Sequence, residues 1–178
     1  MKQLLKLTGC LALAGLFASC QSAQQEANYP FILKSGVKIL YPEGNEKMQR
    51  NAQFLADYLK TATGKDFAIE AGTEGKNAIV LTLGTANENP ESYQLKVAGD
   101  GITITGPTEA GVFYGIQSLR KSLPVAVGAD ISMPAVEIND APRFGYRGAH
   151  FDPSRHFFTV DEVKTYIDMM ALHNMNRF

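Results

Sequence analysis

The chain is expected to fold as an α/β protein: a small domain with a mixed sheet, followed by the opening of a second unit. Three observations predict this. Between Phe31 and about residue 138, short β-branched runs alternate with segments whose apolar residues recur at helical spacing. Gly99-Asp100-Gly101 joins two alternating runs, which implies an antiparallel pair inside a sheet that otherwise needs helical crossovers. After a polar, proline-containing stretch, the order strand, loop, helix, strand begins again.

Taken in order, "FILKSGVKIL" (31–40) alternates loosely, with Gly36 as a turn or bulge. Glu46 to Lys60 places Met48, Ala52, Leu55 and Leu59 on one stripe of an amphipathic helix, and Gly64 is a fitting stop. "AIVLTL" (78–83) is apolar enough for a central strand, and "SYQLKV" (92–97) and "GITITG" (101–106) form the hairpin. Thr108 to Leu123 reads as a second helix with Val112, Ile116, Leu119 and Leu123 inward, and Pro124 bars its continuation. Gly111 and Gly115 each cost that helix about 1 kcal/mol relative to alanine, which close approach to the sheet would offset. A phosphate loop is not expected, because no Gly-Lys-Ser/Thr follows these glycines.

"EINDAPRF" (137–144) reads as a polar connector and domain boundary. Beyond it, Tyr146 to Asp152 is a strand candidate, broken by Pro153 and Ser154. Thr159 opens a helix with a capping box to Glu162, and Val163, Ile167 and Met170 form its stripe. Asn174 serves as C-cap, and "MNRF" begins another strand. A lone unit of this kind leaves its strand edges and helix stripe unpaired, so a larger second domain is expected, of which this is the start, the alternative being that the unit docks on the first domain or on a partner.

Composition narrows the function. Of 178 residues, 45% are apolar and 20% charged, and the formal net charge is −1, so a folded core is expected and a nucleic-acid footprint is not. There is no tryptophan to stack on a sugar face. Lys2 and Lys6, the apolar run Leu11 to Phe17, and Ala18-Ser19 before Cys20 read as an export signal too short to span a bilayer. The pattern resembles a bacterial lipobox, making Cys20 the lipidated first residue of the mature chain; "LTGC" ending at Cys10 fits less well because Lys6 interrupts its apolar stretch. Residues 1–20 are then the signal, 21–29 a polar tether, 30–140 the α/β domain and 141–178 the start of the second. The expected location is the periplasm or outer membrane, with membrane contact only through the lipid. Cys10 and Cys20 are the two cysteines, so the body has neither a disulfide nor a thiolate zinc site.

"PRFGYRGAHFDPSRHFFTVDEVKTYIDMMALHNMNRF" (142–178) resembles the entry to the catalytic barrel of family 20 glycoside hydrolases, the β-N-acetylhexosaminidases, and "GVFYGIQSLRKSLP" (111–124) is similar to the domain that precedes it. The resemblance implies the first strand, first helix and start of the second strand of a TIM (β/α)8 barrel. It implies a retaining exo-enzyme that releases terminal N-acetylglucosamine or N-acetylgalactosamine, with the substrate's acetamido oxygen as nucleophile and no cofactor or metal. Its catalytic Asp-Glu pair is expected beyond Phe178, so no catalytic residue is assigned here and the chain alone is expected to hydrolyse nothing. Asp161-Glu162 is not that pair but a helix-opening one.

Arg147 matches the family's first-strand arginine and is expected to grip vicinal sugar hydroxyls; pairing with a carboxylate inside the barrel is the competing role. Asp152, Arg155 and His156 lie where the first strand should end, at the barrel rim, with an Asp152–Arg155 loop clamp equally open. Arg143 and Tyr146 are expected at the domain interface, and His173 at a helix C-terminus. His150, Asp152 and His156 could suggest a metal site, but Arg147 and Arg155 would set positive charge beside the cation, so none is expected. The competing function is a non-catalytic surface lipoprotein whose α/β domain binds glycan or a protein partner.

Overall fold

The computed structural model describes residues 30–84, 88–124 and 130–178. The expected signal and tether, with Cys10 and Cys20, lie outside these residues.

The first stretch forms two strands, Gly36 making the turn between them. β1 (Phe31–Leu33) and β2 (Lys38–Tyr41) are separated by a turn in which Gly36 adopts φ +88°, a left-handed conformation that costs glycine little. The two pieces join different sheets. β1 pairs antiparallel with β7 (Ile131–Met133), Phe31 opposite Met133. β2 sits inside a six-stranded sheet of order β3-β2-β4-β6-β5-β8, with β3 at Ala68–Ala71, β4 at Ala78–Leu83, β5 at Tyr93–Ala98, β6 at Gly101–Gly106 and β8 at Val136–Asp140. β3, β2, β4 and β6 run parallel; β5 is antiparallel to both β6 and β8, so the sheet is mixed, as expected.

Helix α1 (Glu46–Thr63) crosses from β2 to β3, and α2 (Glu109–Ser122) follows β6. The Asn45 side chain caps α1 by accepting from the backbone N–H of Lys47 and Met48, and Gly64 ends it at φ +71°. Both helices cover the same face, where Ile39, Ile79, Leu81, Leu95, Ile102 and Ile104 meet Leu55, Leu59, Val112 and Ile116 in one buried cluster. Phe31, Leu33, Ile131 and Met133 belong to that cluster, so the β1–β7 pair seals its end. On the far face, Gln94, Lys96, Thr103 and Thr105 are half-exposed.

Three expectations about the connector and the second unit need correction. "EINDAPRF" is not all connector: β8 supplies an edge strand on β5, which a run exposed on nearly every residue did not announce. Tyr146 to Asp152 does not form a continuous strand; its pairing is a single parallel bridge between Gly148 and Arg177. Helix α3 (Val160–Leu172) opens with the full capping box of Thr159 and Glu162. Its C-cap is His173 rather than Asn174, which follows it at φ +56°. Phe151 gathers Phe158, Tyr166 and Phe178 around it at ring-centroid distances of 4.7, 5.1 and 5.8 Å, a small aromatic core for this unit. No helix among the described residues is long and apolar enough to cross a membrane.

Candidate functional site at the junction of the two units

The polar residues converge where the α/β unit meets the 144–178 segment. Glu91 lies in the turn before β5. Asn89 shapes that turn, its side-chain oxygen accepting the Glu91 N–H and its carbonyl accepting the Ser92 N–H. The N-cap residue of α2, Thr108, donates its hydroxyl to Pro90 O at 2.5 Å, tying the turn to the helix. Glu91 is thus held before it meets any partner from the second unit.

Arg147 reaches it from the segment that pairs with Arg177. Its Nη1 donates to Glu91 Oε2 at 2.8 Å and to Phe144 O at 2.7 Å, its Nη2 to the Tyr114 hydroxyl at 3.0 Å, and its Nε to Asn174 O at 2.7 Å. The guanidinium carbon lies 5.3 Å from the Tyr114 ring centroid. The Tyr114 hydroxyl donates in turn to Glu91 Oε1 at 3.3 Å, and Asn176 Nδ2 donates to the same oxygen at 3.1 Å. Asn176 Oδ1 accepts the backbone N–H of Arg147 at 3.1 Å, so one side chain bridges both strand starts and the carboxylate.

The side chains of Arg147 and Glu91 are 16% and 22% exposed, so this ion pair is shielded from most of the solvent screening that weakens surface pairs. The Arg147 hydrogen bond holds the Glu91 carboxyl below the usual glutamate range, assisted by Asn176 and Tyr114 and opposed by partial burial. Burial, and then the Glu91 charge, push the Tyr114 phenol up.

The structure thus places Arg147 in a network rather than in an open pocket: four of its five N–H donors go to protein acceptors. The other expected residues are scattered. Asp152 and Arg155 form an ion pair at 3.4 Å with the arginine side chain 90% exposed, and Asp152 Oδ1 also accepts the Ser154 N–H. His156 packs edge-on against Phe158 at 5.1 Å. Arg143 lies over the Phe144 ring and Tyr146 is 75% exposed; the junction is made instead by Glu91, Tyr114, Arg147 and Asn176, with Asn89 donating to Pro142 O. His173 occupies the α3 C-cap. Among the described residues no group of three or more His, Cys, Asp or Glu side chains is arranged to hold a metal ion. Asp161-Glu162 stays in the first turn of α3, where Glu162 Oε2 accepts the Thr159 N–H at 2.7 Å.

Glu91, Tyr114 and Asn176 were not singled out from the sequence. Their spacings to one another and to Arg147 run to 56 and 85 residues, and no local pattern joins positions so far apart.

Both units resemble known proteins over most of their length. A β-hexosaminidase of Porphyromonas gingivalis is 38% identical over 141 residues, covering 75% of this chain and 18% of the relative. One of Vibrio vulnificus is 47% identical over 110 residues, covering 62% and 12%. The solved family 20 β-N-acetylhexosaminidase of Streptomyces coelicolor superimposes with a TM-score of 0.76 at 34% identity, over 85% of this chain and 31% of that one. The N-acetyl-β-hexosaminidase of Streptomyces plicatus, solved with Thio-NAglucal, gives 0.71 at 33% identity over 85% and 31%. The chain therefore spans less than a third of the length of each of these relatives. Residues 15–141 match the model of glycosyl hydrolase family 20 domain 2 and residues 144–178 that of the family's catalytic domain, so the chain belongs to glycosyl hydrolase family 20.

Proposed function

We propose that this chain is the N-terminal portion of a retaining exo-β-N-acetylhexosaminidase, contributing the α/β domain and the opening of the catalytic barrel. The match of residues 144–178 to the family's catalytic domain carries the reading, and hexosaminidase names among the relatives support it. In the proposed reaction the substrate's acetamido oxygen attacks the anomeric carbon, and a glutamic acid protonates the departing glycosidic oxygen. The same residue then draws a proton from the water that opens the cyclic intermediate. An aspartate beside it orients the acetamido group. The family resemblance puts that pair beyond Phe178, and Glu162 of the Asp161-Glu162 sequence is committed to the α3 cap.

Within this scheme Arg147 is the sugar-gripping residue of the terminal-residue pocket. Glu91 and the carbonyls of Phe144 and Asn174 fix the guanidinium plane, and the Nη2 edge offers its remaining hydrogen to a substrate hydroxyl. Asp152 and Arg155, paired with each other, and His156 against Phe158 would stand at the rim of the barrel rather than beside Arg147. We further propose export and lipidation at Cys20, on the sequence pattern alone.

The test uses a chromogenic N-acetylglucosaminide and its galacto analogue. The natural gene product is expected to turn over at least one, and the 178-residue chain neither. A gene product that binds glycan without hydrolysing it would favour the non-catalytic lipoprotein. Labelling with a radioactive fatty acid in a bacterial host, lost on Cys20→Ser, tests the anchor.

A further inference from the structure

We propose that Glu91 is a positioning residue: from the α/β domain it sets the register of the first two barrel strands and orients Arg147 for substrate. Its effect on substrate rests on the sugar-contact reading of Arg147; its effect on register does not.

One carboxylate collects both strand starts. Oε2 takes Arg147 Nη1 at 2.8 Å, and Oε1 takes Asn176 Nδ2 at 3.1 Å. The backbone at these two residues is itself paired: Asn176 N and Arg177 N donate to Arg147 O at 2.8 and 3.2 Å, and Ala149 N donates to Arg177 O at 3.2 Å. That pairing is short, a single bridge between Gly148 and Arg177, and two paired strands alone are marginal in water. The carboxylate therefore acts where the backbone ladder is weakest. Glu91 is itself fixed by a turn hydrogen-bonded to Asn89 and to the cap of α2, so the reference point belongs to the rigid α/β core. Tyr114, on α2 and 6% exposed, completes the cradle by accepting from Arg147 and donating to Glu91. A planar guanidinium held on three sides has its free edge aimed in one direction, which is the geometric requirement for gripping a sugar hydroxyl.

Register is read on the 178-residue chain by hydrogen exchange, comparing wild type with Glu91→Gln, which keeps the shape and removes the charge. The amides of Ala149, Asn176 and Arg177 are expected to exchange about tenfold faster, while β4 and β6 keep their protection. Unchanged exchange at those three amides, or equal acceleration throughout the chain, overturns the proposal. Should the glutamine variant fail to fold, Tyr114→Phe, which deletes the hydroxyl shared by Glu91 and Arg147, is read the same way.

Orientation is read on the natural gene product with a chromogenic N-acetylglucosaminide. Glu91→Gln is expected to raise KM about tenfold with kcat changed less than about twofold, and to have no further effect once Arg147 is replaced by Gln. An equal rise in KM with and without Arg147 overturns the orienting role. If the wild-type gene product turns over no substrate, the hexosaminidase reading falls, and the exchange measurement still decides whether Glu91 sets the register.

Discussion

Gly115 of α2 lies directly on Ile104 of β6: a Cβ at Gly115 would overlap Ile104 Cγ2 and come within 3.2 Å of the Tyr93 ring. One turn earlier, a Cβ at Gly111 would overlap the Ser92 carbonyl oxygen. The two glycines that weaken α2 as an isolated helix are what let it press onto β5 and β6. Gly115→Ala would gain about 1 kcal/mol in helix propensity and lose more to overpacking against a β-branched side chain that cannot swing away. A net destabilisation of about 1–2 kcal/mol is expected by urea unfolding of the chain. A variant more stable than wild type would show that α2 has room to lift.

Gln117 stands on the same helix, 0% exposed, and neither of its amide atoms finds a hydrogen-bond partner among the described residues. Burying an unpaired amide costs more than the packing its methylenes return. Gln117→Met, close in volume and without the polar atoms, is expected to raise stability by about 1–2 kcal/mol in the same unfolding experiment. Loss of stability would show that the amide has a partner in solution.

The Glu91 carboxyl gives the junction a pH dependence of known sign. Its folded pKa lies below the unfolded one because Arg147 stabilises the charged form. The contribution is therefore fully present above the ordinary glutamate range and is lost as pH falls through the depressed folded value. The groups facing it are Arg147 and Tyr114, both of which keep their protons throughout that acid range. Exchange at Asn176 in the wild-type chain is expected to quicken, beyond its intrinsic pH dependence, only below the usual glutamate pKa. In Glu91→Gln that acid step should be absent. A step of the same size in both variants would place the titrating group elsewhere.

How much of this could be read in advance follows from where each signal resides. α1, α2, α3, β4 and the β5–β6 hairpin announce themselves through local period and punctuation: Asn45 and Gly64 bracket α1, and Thr159 with Glu162 starts α3. The edge strands did not. β3 and β8 are exposed along most of their length, so no alternation marks them, and β7 has only Ile131 and Met133 facing inward. The Tyr146–Asp152 stretch carries strand-forming residues, yet its pairing reduces to Gly148 with Arg177 because a strand needs a neighbour along its whole length. Arg147 was legible as a residue with a task. Its carboxylate partner was not, since Glu91 sits in a turn whose importance appears only when the second unit docks on it.

The Asp161-Glu162 pair offers the last test, because a reader seeking catalytic acids would choose it first. Glu162 Oε2 accepts the Thr159 N–H at 2.7 Å and the Thr159 hydroxyl at 2.9 Å, and the Glu162 N–H returns to Thr159 Oγ1 at 3.3 Å. Those bonds hold the Glu162 carboxyl below its ordinary range, the opposite of what a general acid needs at neutral pH. Thr159→Ala should cost about 1 kcal/mol and fray the first turn of α3, seen as faster exchange at Glu162 and Val163. In the natural gene product, Glu162→Gln is expected to leave kcat on a chromogenic N-acetylglucosaminide within about twofold, where removing a general acid costs a hundredfold or more. A loss of that larger size would move the catalytic acid into α3 and overturn the proposal that the pair lies beyond Phe178.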